Sequence, residues 1–174
     1  MQYKLSVSDL DITKEDLVEI FSNVYNSFFR FQIPIYFKSL CKSETFEECM
    51  VDVLLAGKYI KVIDFEDSFS QLPEEYNELY DSLKKIHCNS LVLEVSGFKK
   101  FESDWSDDEF YCPVYLLTLD RIKEAFEQII TGNMTGQYTE CVKQAFRSFE
   151  SGNADELDCE NLFQYIIFGD AIYG

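Results

Sequence analysis

Apolar and polar positions follow two different periods along this chain, and the sharpest pattern lies at its end. From Leu157 to Phe168 the apolar residues run almost all the way round a helix. Only Glu156, Glu160 and Gln164 keep a polar stripe, at i, i+4 and i+8. So narrow a wet face predicts a mostly buried helix. Asp155 can cap its start, and Asp158, three residues on, can return a bond to the capping N–H, a variant of the capping box. Gly169 ends or bends the helix, and Tyr173 places an aromatic ring in a tucked terminus.

The rest of the chain alternates between the two periods. Residues 2–8 carry Tyr3, Leu5 and Val7 in loose alternation and predict a first strand, turned by Asp9 and Asp11. Thr13 with Asp16 repeats the capping-box pattern ahead of a helix over 14–29, with Leu17, Ile20, Phe21, Val24, Tyr25 and Phe28 as its apolar stripe. Pro34 demotes the aromatic segment 31–37 to an edge strand or an extended loop. Thr45 begins a helix through Phe46, Cys49, Met50, Val53 and Leu54, ended by Gly57. Residues 59–65 read as the clearest strand. Pro73 precedes a short acidic helix over 74–86, and 91–95 is a strand ended by Gly97. Residues 102–110, E-S-D-W-S-D-D-E-F, have neither period and read as an exposed loop, and 114–117 form a last strand. Three helices follow: 119–130 between Thr118 and Gly132, 138–149, and the buried one after Gly152. Mixed strands and helices followed by helices alone predict an α+β fold, a small antiparallel or mixed sheet packed on helices with a helical C-terminal third. A length of 174 residues fits a single globular domain, 1–174.

Composition adds one unusual property. Apolar residues make up 47% of the chain, enough for a real core, so a net charge of −17 does not mark disorder. With 32 acids against 15 bases, phosphates are repelled, which argues against nucleic acid as a direct ligand and against an anionic membrane. The charge is also unevenly mixed. No base falls between Lys61 and Lys84, where Asp64, Glu66, Asp67, Glu74, Glu75, Glu78 and Asp81 lie, and none between Lys100 and Arg121 or after Arg147. Such blocks repel themselves in the fold unless they are solvated or serve a basic partner. No charged-then-apolar leader opens the sequence and no apolar run reaches the length of a membrane span, so the expectation is a soluble cytoplasmic protein. The six cysteines form no C-x-x-C pair and read as buried thiols in a reducing compartment.

Catalytic sets are nearly absent. The one histidine, His87, sits beside Cys88, and neighbours in sequence point their side chains apart, so the pair reads as ordinary residues at a helix end. No phosphate-binding glycine loop or nucleophile elbow occurs. Asp104 to Glu109 could hold Mg²⁺ or Ca²⁺ in principle but lacks the EF-hand glycine and glutamate spacing. The expectation is a protein that is not an enzyme and carries no cofactor. Trp105, the only tryptophan, lies among Asp104, Asp107, Asp108 and Glu109. An exposed ring flanked by carboxylates suits a basic partner, the ring as anchor and the charges for steering; a ring folded back to pin its own loop is the alternative.

Asp155, Gln164, Phe168, Gly169, Asp170, Tyr173 and Gly174 also carry a resemblance. The stretch resembles the ending of a family of small, acidic, uncharacterised bacteriophage and prophage proteins, which close on D-x-x-x-A-D-x-x-x-Q-x-x-x-F-G-E-x-x-Y-G. Here Cys159–Glu160 stand where Ala–Asp is usual, and Asp170 replaces Glu. The helix start L-T-L-D-R-I-K-E and the strand into acids at Val62 to Asp67 resemble weaker signatures of the same family. The resemblance implies a phage or mobile-element origin and a bacterial host cytoplasm, and it implies no activity. Charge and resemblance together lead to the expectation of a non-enzymatic interaction module. It binds a basic surface of a bacterial protein, such as a CRISPR nuclease or restriction enzyme, as an inhibitor or nucleic-acid mimic. Asp104, Trp105, Asp107, Asp108 and Glu109, with Asp64, Glu66 and Asp67, are its candidate contacts. The alternatives are an accessory phage protein assembling through apolar contacts and, behind it, a metal-dependent enzyme.

Overall fold

In a computed structural model, residues 4–7, 10–24, 28–66, 95–102, 109–134 and 136–173 are described. The predicted helix over 74–86, residues 91–94 of the strand expected over 91–95, the pair His87–Cys88 and residues 103–108 lie outside them. Strands β1 (Lys4–Val7) and β2 (Leu10–Thr13) form an antiparallel pair. Helix α1 (Lys14–Val24) follows through the expected capping box: the Thr13 N–H donates to Asp16 Oδ2 at 2.8 Å, and the Asp16 N–H donates to Thr13 Oγ1 at 3.2 Å. Its buried stripe is Leu17, Ile20, Phe21 and Val24.

The helix is shorter than the sequence pattern suggests, because Phe29 already belongs to strand β3 (Phe29–Gln32). Strand β3 is an edge strand that stops before Pro34, and a 3-10 turn (Ile35–Leu40) takes up the rest of the predicted extended segment. Helix α2 (Phe46–Leu55) starts where Thr45 accepts the Glu48 N–H and ends on Gly57 at φ 77°. The Lys58 N–H reaching Val53 and the Gly57 N–H reaching Leu54 close its last carbonyls.

Strands β4 (Tyr59–Asp64), β5 (Val95–Glu102) and β6 (Glu109–Thr118) complete a four-stranded antiparallel sheet in the order β3-β4-β6-β5. Two strands differ from the sequence pattern. Gly97 does not end β5: the register shifts between Val95 and Gly97, and the strand continues to Glu102. A glycine accommodates such an irregularity within a strand without a side chain to place. Strand β6 is more than twice as long as 114–117, because it lies between two neighbours and carries apolar residues on both faces, which erases the alternation that betrays a half-exposed strand.

Three helices follow: α3 (Leu119–Thr131), α4 (Thr139–Glu150) and α5 (Glu156–Phe168). Thr118 caps α3 through the Arg121 N–H, and both Asp155–Asp158 capping-box bonds form at α5. The fold is therefore α+β, an antiparallel sheet with a helical C-terminal third. Helix α5 packs against α1, α3 and α4. Phe163 stands within 5.0–5.9 Å of the rings of Phe21, Phe29 and Phe31, and Phe168 reaches Phe29 and Tyr115 from the sheet. Leu162, Phe163, Ile166, Ile167 and Phe168 are all essentially inaccessible. Each such side chain contributes roughly 1.5–3 kcal/mol by leaving water. The opposite sheet face carries a second cluster of Ile63, Cys112 and Val114, with Phe65, Phe101 and Phe110 against it.

Not all cysteines are buried thiols. Cys41 and Cys49 are bonded to each other, their Cα atoms 4.7 Å apart, because the turn ahead of α2 folds Cys41 back over the helix's first turn. Cys141 is exposed on α4, and Cys159 is buried in α5.

Candidate functional site

The expected contact residues do not behave alike. Asp67, Asp104, Trp105, Asp107 and Asp108 lie outside the described residues. Glu109, at the start of β6, is exposed and pairs with Lys100 of β5 at 2.7 Å. Glu66 is exposed just past β4, its N–H bonded to Asp64 Oδ1 at 3.0 Å. Asp64 is a correction: it is fully buried, and its Oδ2 accepts the Tyr173 hydroxyl at 2.6 Å. The reason is parity. Ile60, Val62 and Asp64 alternate onto one face of β4, the face that meets the helices, so the carboxylate points into the core and presents nothing to a partner.

The C-terminal residues behind the phage-family resemblance turn out to hold the tail. Gln164, expected on a wet stripe, is fully buried. Its Oε1 accepts the Tyr173 N–H at 2.7 Å and its Nε2 donates to the Tyr173 carbonyl at 3.1 Å, so one amide clamps both backbone groups of that residue. Gly169 takes the left-handed conformation that ends α5, at φ 70°. Asp170 then turns back on α4: its carboxylate accepts the N–H of Gln137 at 2.6 Å and of Tyr138 at 2.8 Å, immediately ahead of that helix, where a negative charge is favoured. Gly136 makes room for this, since a Cβ there would lie 2.6 Å from the Gly169 carbonyl oxygen. Tyr173 packs its ring on Phe28 and Phe168 and ends on Asp64.

Arg121 holds the other side of the helix end. It is 5% exposed, with Nε donating to the Ile166 carbonyl at 2.7 Å, Nη2 to the Tyr165 carbonyl at 3.2 Å, and Nη1 3.5 Å from Glu124. Burial pulls its pKa down and Glu124 opposes that, and the cation sits where the helix dipole is negative. These groups hold the last turn and the tail in place.

Exposed acids gather at the opposite end of α5 and on α1. Helix α5 contains no base, and α1 contains only Lys14, which is committed to Asp52 of α2 at 2.7 Å. The two helices pack together. Glu15 and Glu19 of α1 and Asp155 and Glu156 at the start of α5 are exposed. Burial first, then Glu19 of one helix and Asp158 and Asp155 of the other, push the Cys159 thiol pKa up to about 11. Sequence neighbourhood does not reveal this cluster, since its members are more than a hundred residues apart in the chain.

Among the described residues, no group of His, Cys, Asp and Glu could hold a metal ion, and no helix is long and apolar enough to cross a membrane. A shallow cleft of about 300 Å³ between α3 and α4, lined by Ile129, Ile130, Lys143, Phe146, Arg147 and Glu150, has no nucleophile–base arrangement. Elsewhere, the 3-10 turn exposes Ile35 (75%) and Tyr36 (67%). Compared with known proteins, the chain matches no family model, no curated protein and no solved structure.

Proposed function

We propose that this protein is a non-enzymatic interaction module whose acidic α1–α5 surface binds a basic surface of a partner protein. The partner fitting this chemistry is a nucleic-acid-binding protein of a bacterial host, of the defence class to which CRISPR nucleases and restriction enzymes belong. A phage or mobile element would encode the module as an inhibitor acting by nucleic-acid mimicry in the host cytoplasm. The observation that carries the reading is the segregation of charge: two packed helices bring Glu15, Glu19, Asp155 and Glu156 to the surface, and the one base between them is already bonded to Asp52. Carboxylates held on rigid helices present fixed charge to cations that otherwise grip phosphates. Asp104, Trp105, Asp107, Asp108 and Glu109 remain a second contact in this proposal, with Trp105 as the anchor.

The test is a pull-down from bacterial lysate at low and high salt, using the parent and a Glu15→Gln, Glu19→Gln, Glu156→Gln variant. A steered electrostatic partner is captured at low salt by the parent, weakly by the variant, and is displaced by duplex DNA. Capture indifferent to salt, variant and DNA rejects the proposal. Ile35 and Tyr36 favour a second reading, an accessory phage protein assembling through apolar contacts, whose binding would survive high salt.

A further inference from the structure

Cys49 lies in the first turn of α2, and Cys41 is the residue on which the 3-10 turn ends, its N–H donating to the Lys38 carbonyl at 3.2 Å. Their Cα separation of 4.7 Å falls within the range a disulfide spans without moving the backbone. The site is equally furnished for the open state. Cys41 Sγ lies 3.7 Å and Cys49 Sγ 3.3 Å from the Ser43 carbonyl oxygen, so both thiols have an acceptor when the bond is absent. A separate polar network fixes the intervening segment. Asp52 Oδ2 accepts the Ser43 hydroxyl at 2.7 Å and the Lys42 N–H at 3.0 Å, and Lys14 Nζ donates to Asp52 Oδ1 at 2.7 Å and to Ser43 Oγ at 2.9 Å.

We propose that Cys41 and Cys49 form a reversible dithiol–disulfide site, opened and closed by exchange with a dithiol of the thioredoxin class or its disulfide, and that the Lys14–Asp52–Ser43 network is the template that keeps the open thiols in register. Cys41 is partly exposed and Cys49 is 8% exposed, so the incoming thiolate attacks Cys41 Sγ. The Cys41–Cys49 bond breaks, and Cys49 leaves as a thiolate and takes up a proton. The second thiol of the reductant then displaces Cys41 from the mixed disulfide. The net change is one protein disulfide and one dithiol becoming one protein dithiol and one disulfide. Opening frees the two thiols, while the segment from Lys42 to Ser43 stays tied to α2.

The experiment equilibrates the intact protein in buffers of graded reduced and oxidised dithiothreitol, traps thiols with N-ethylmaleimide and maps the peptides. The proposal expects a linked Cys41–Cys49 peptide at the oxidising end, both residues labelled at the reducing end, and full return when the buffer is reversed, with circular dichroism unchanged throughout. Asp52→Asn, which removes the acceptor charge and leaves both cysteines, should close about tenfold more slowly because the thiols lose their alignment. Independent labelling of the two cysteines in every buffer overturns the site, as does a linked peptide that no dithiol opens while the protein stays folded. Closure of Asp52→Asn at the parent's rate overturns the templating role, and rescue of that rate by Asp52→Glu supports it.

Discussion

Replacing Tyr173 by Phe removes a single oxygen and keeps the ring that packs on Phe28 and Phe168. The hydroxyl's partner is Asp64, fully buried at the end of β4, and the bond is short, 2.6 Å. Without it the buried carboxylate loses one donor and keeps the Glu66 N–H. A hydrogen bond to a charged group contributes about 1.5–3 kcal/mol, and a buried acceptor deprived of its donor gains no compensating water. The expected loss is therefore about 2–3 kcal/mol. In a chain of this size each kcal/mol moves the melting midpoint by about 2–4 °C, so Tyr173→Phe should melt about 4–12 °C below the parent. Differential scanning calorimetry at pH 7 reads this directly. Asp64→Asn, which retains an acceptor at the same place, should lose less. A Tyr173→Phe midpoint within about a degree of the parent would show that the tail is not locked through Asp64, and the account of the C-terminal residues would fail with it.

Other outcomes follow from the same contacts. Gly136→Ala should destabilise by about 1–3 kcal/mol in urea unfolding, because its Cβ meets the Gly169 carbonyl at 2.6 Å and displaces Asp170 from the start of α4. Ile167→Ala should cost about 2–5 kcal/mol, since that side chain is fully buried; an unchanged denaturation midpoint would mean that α5 faces another way. Cys159 has a folded pKa of about 11 against an ordinary 9.0. A raised thiol pKa means stability that is intact below pH 9 and is lost as pH climbs toward 11, about 2–3 kcal/mol in all. Stability measured across that window should therefore fall more steeply in the parent than in Cys159→Ala.

Local chemistry was readable in the sequence wherever its partners were near in the chain. Thr13 with Asp16, Thr45, Thr118 and Asp155 with Asp158 announced four helix starts that the structure contains, and Gly57, Gly132 and Gly169 announced three ends. What failed depended on surroundings that sequence distance hides. Phe29 closes the helix expected over 14–29 but is drawn into β3 by pairing with Asp64 across the sheet. Gln164 is polar yet buried, because the tail folding back supplies both of its hydrogen bonds. Asp64 counted as a surface acid by its neighbours, although its parity with Ile60 and Val62 was a usable sign that it faces inward. The acidic blocks were legible as composition. That α1 and α5 bring Glu19, Asp155 and Asp158 around Cys159 is tertiary and had no signal in any window of sequence.

The central functional claim is that fixed acids on the α1–α5 surface take a basic, nucleic-acid-binding partner. Its most direct measurement is the parallel capture of bacterial lysate by the parent and by the Glu15→Gln, Glu19→Gln, Glu156→Gln variant, at low and high salt, with bound proteins identified by mass spectrometry. A basic partner should be enriched by the parent at low salt, released by salt or by duplex DNA, and depleted in the variant. Equal enrichment by the parent and the folded variant at both salt concentrations would contradict it.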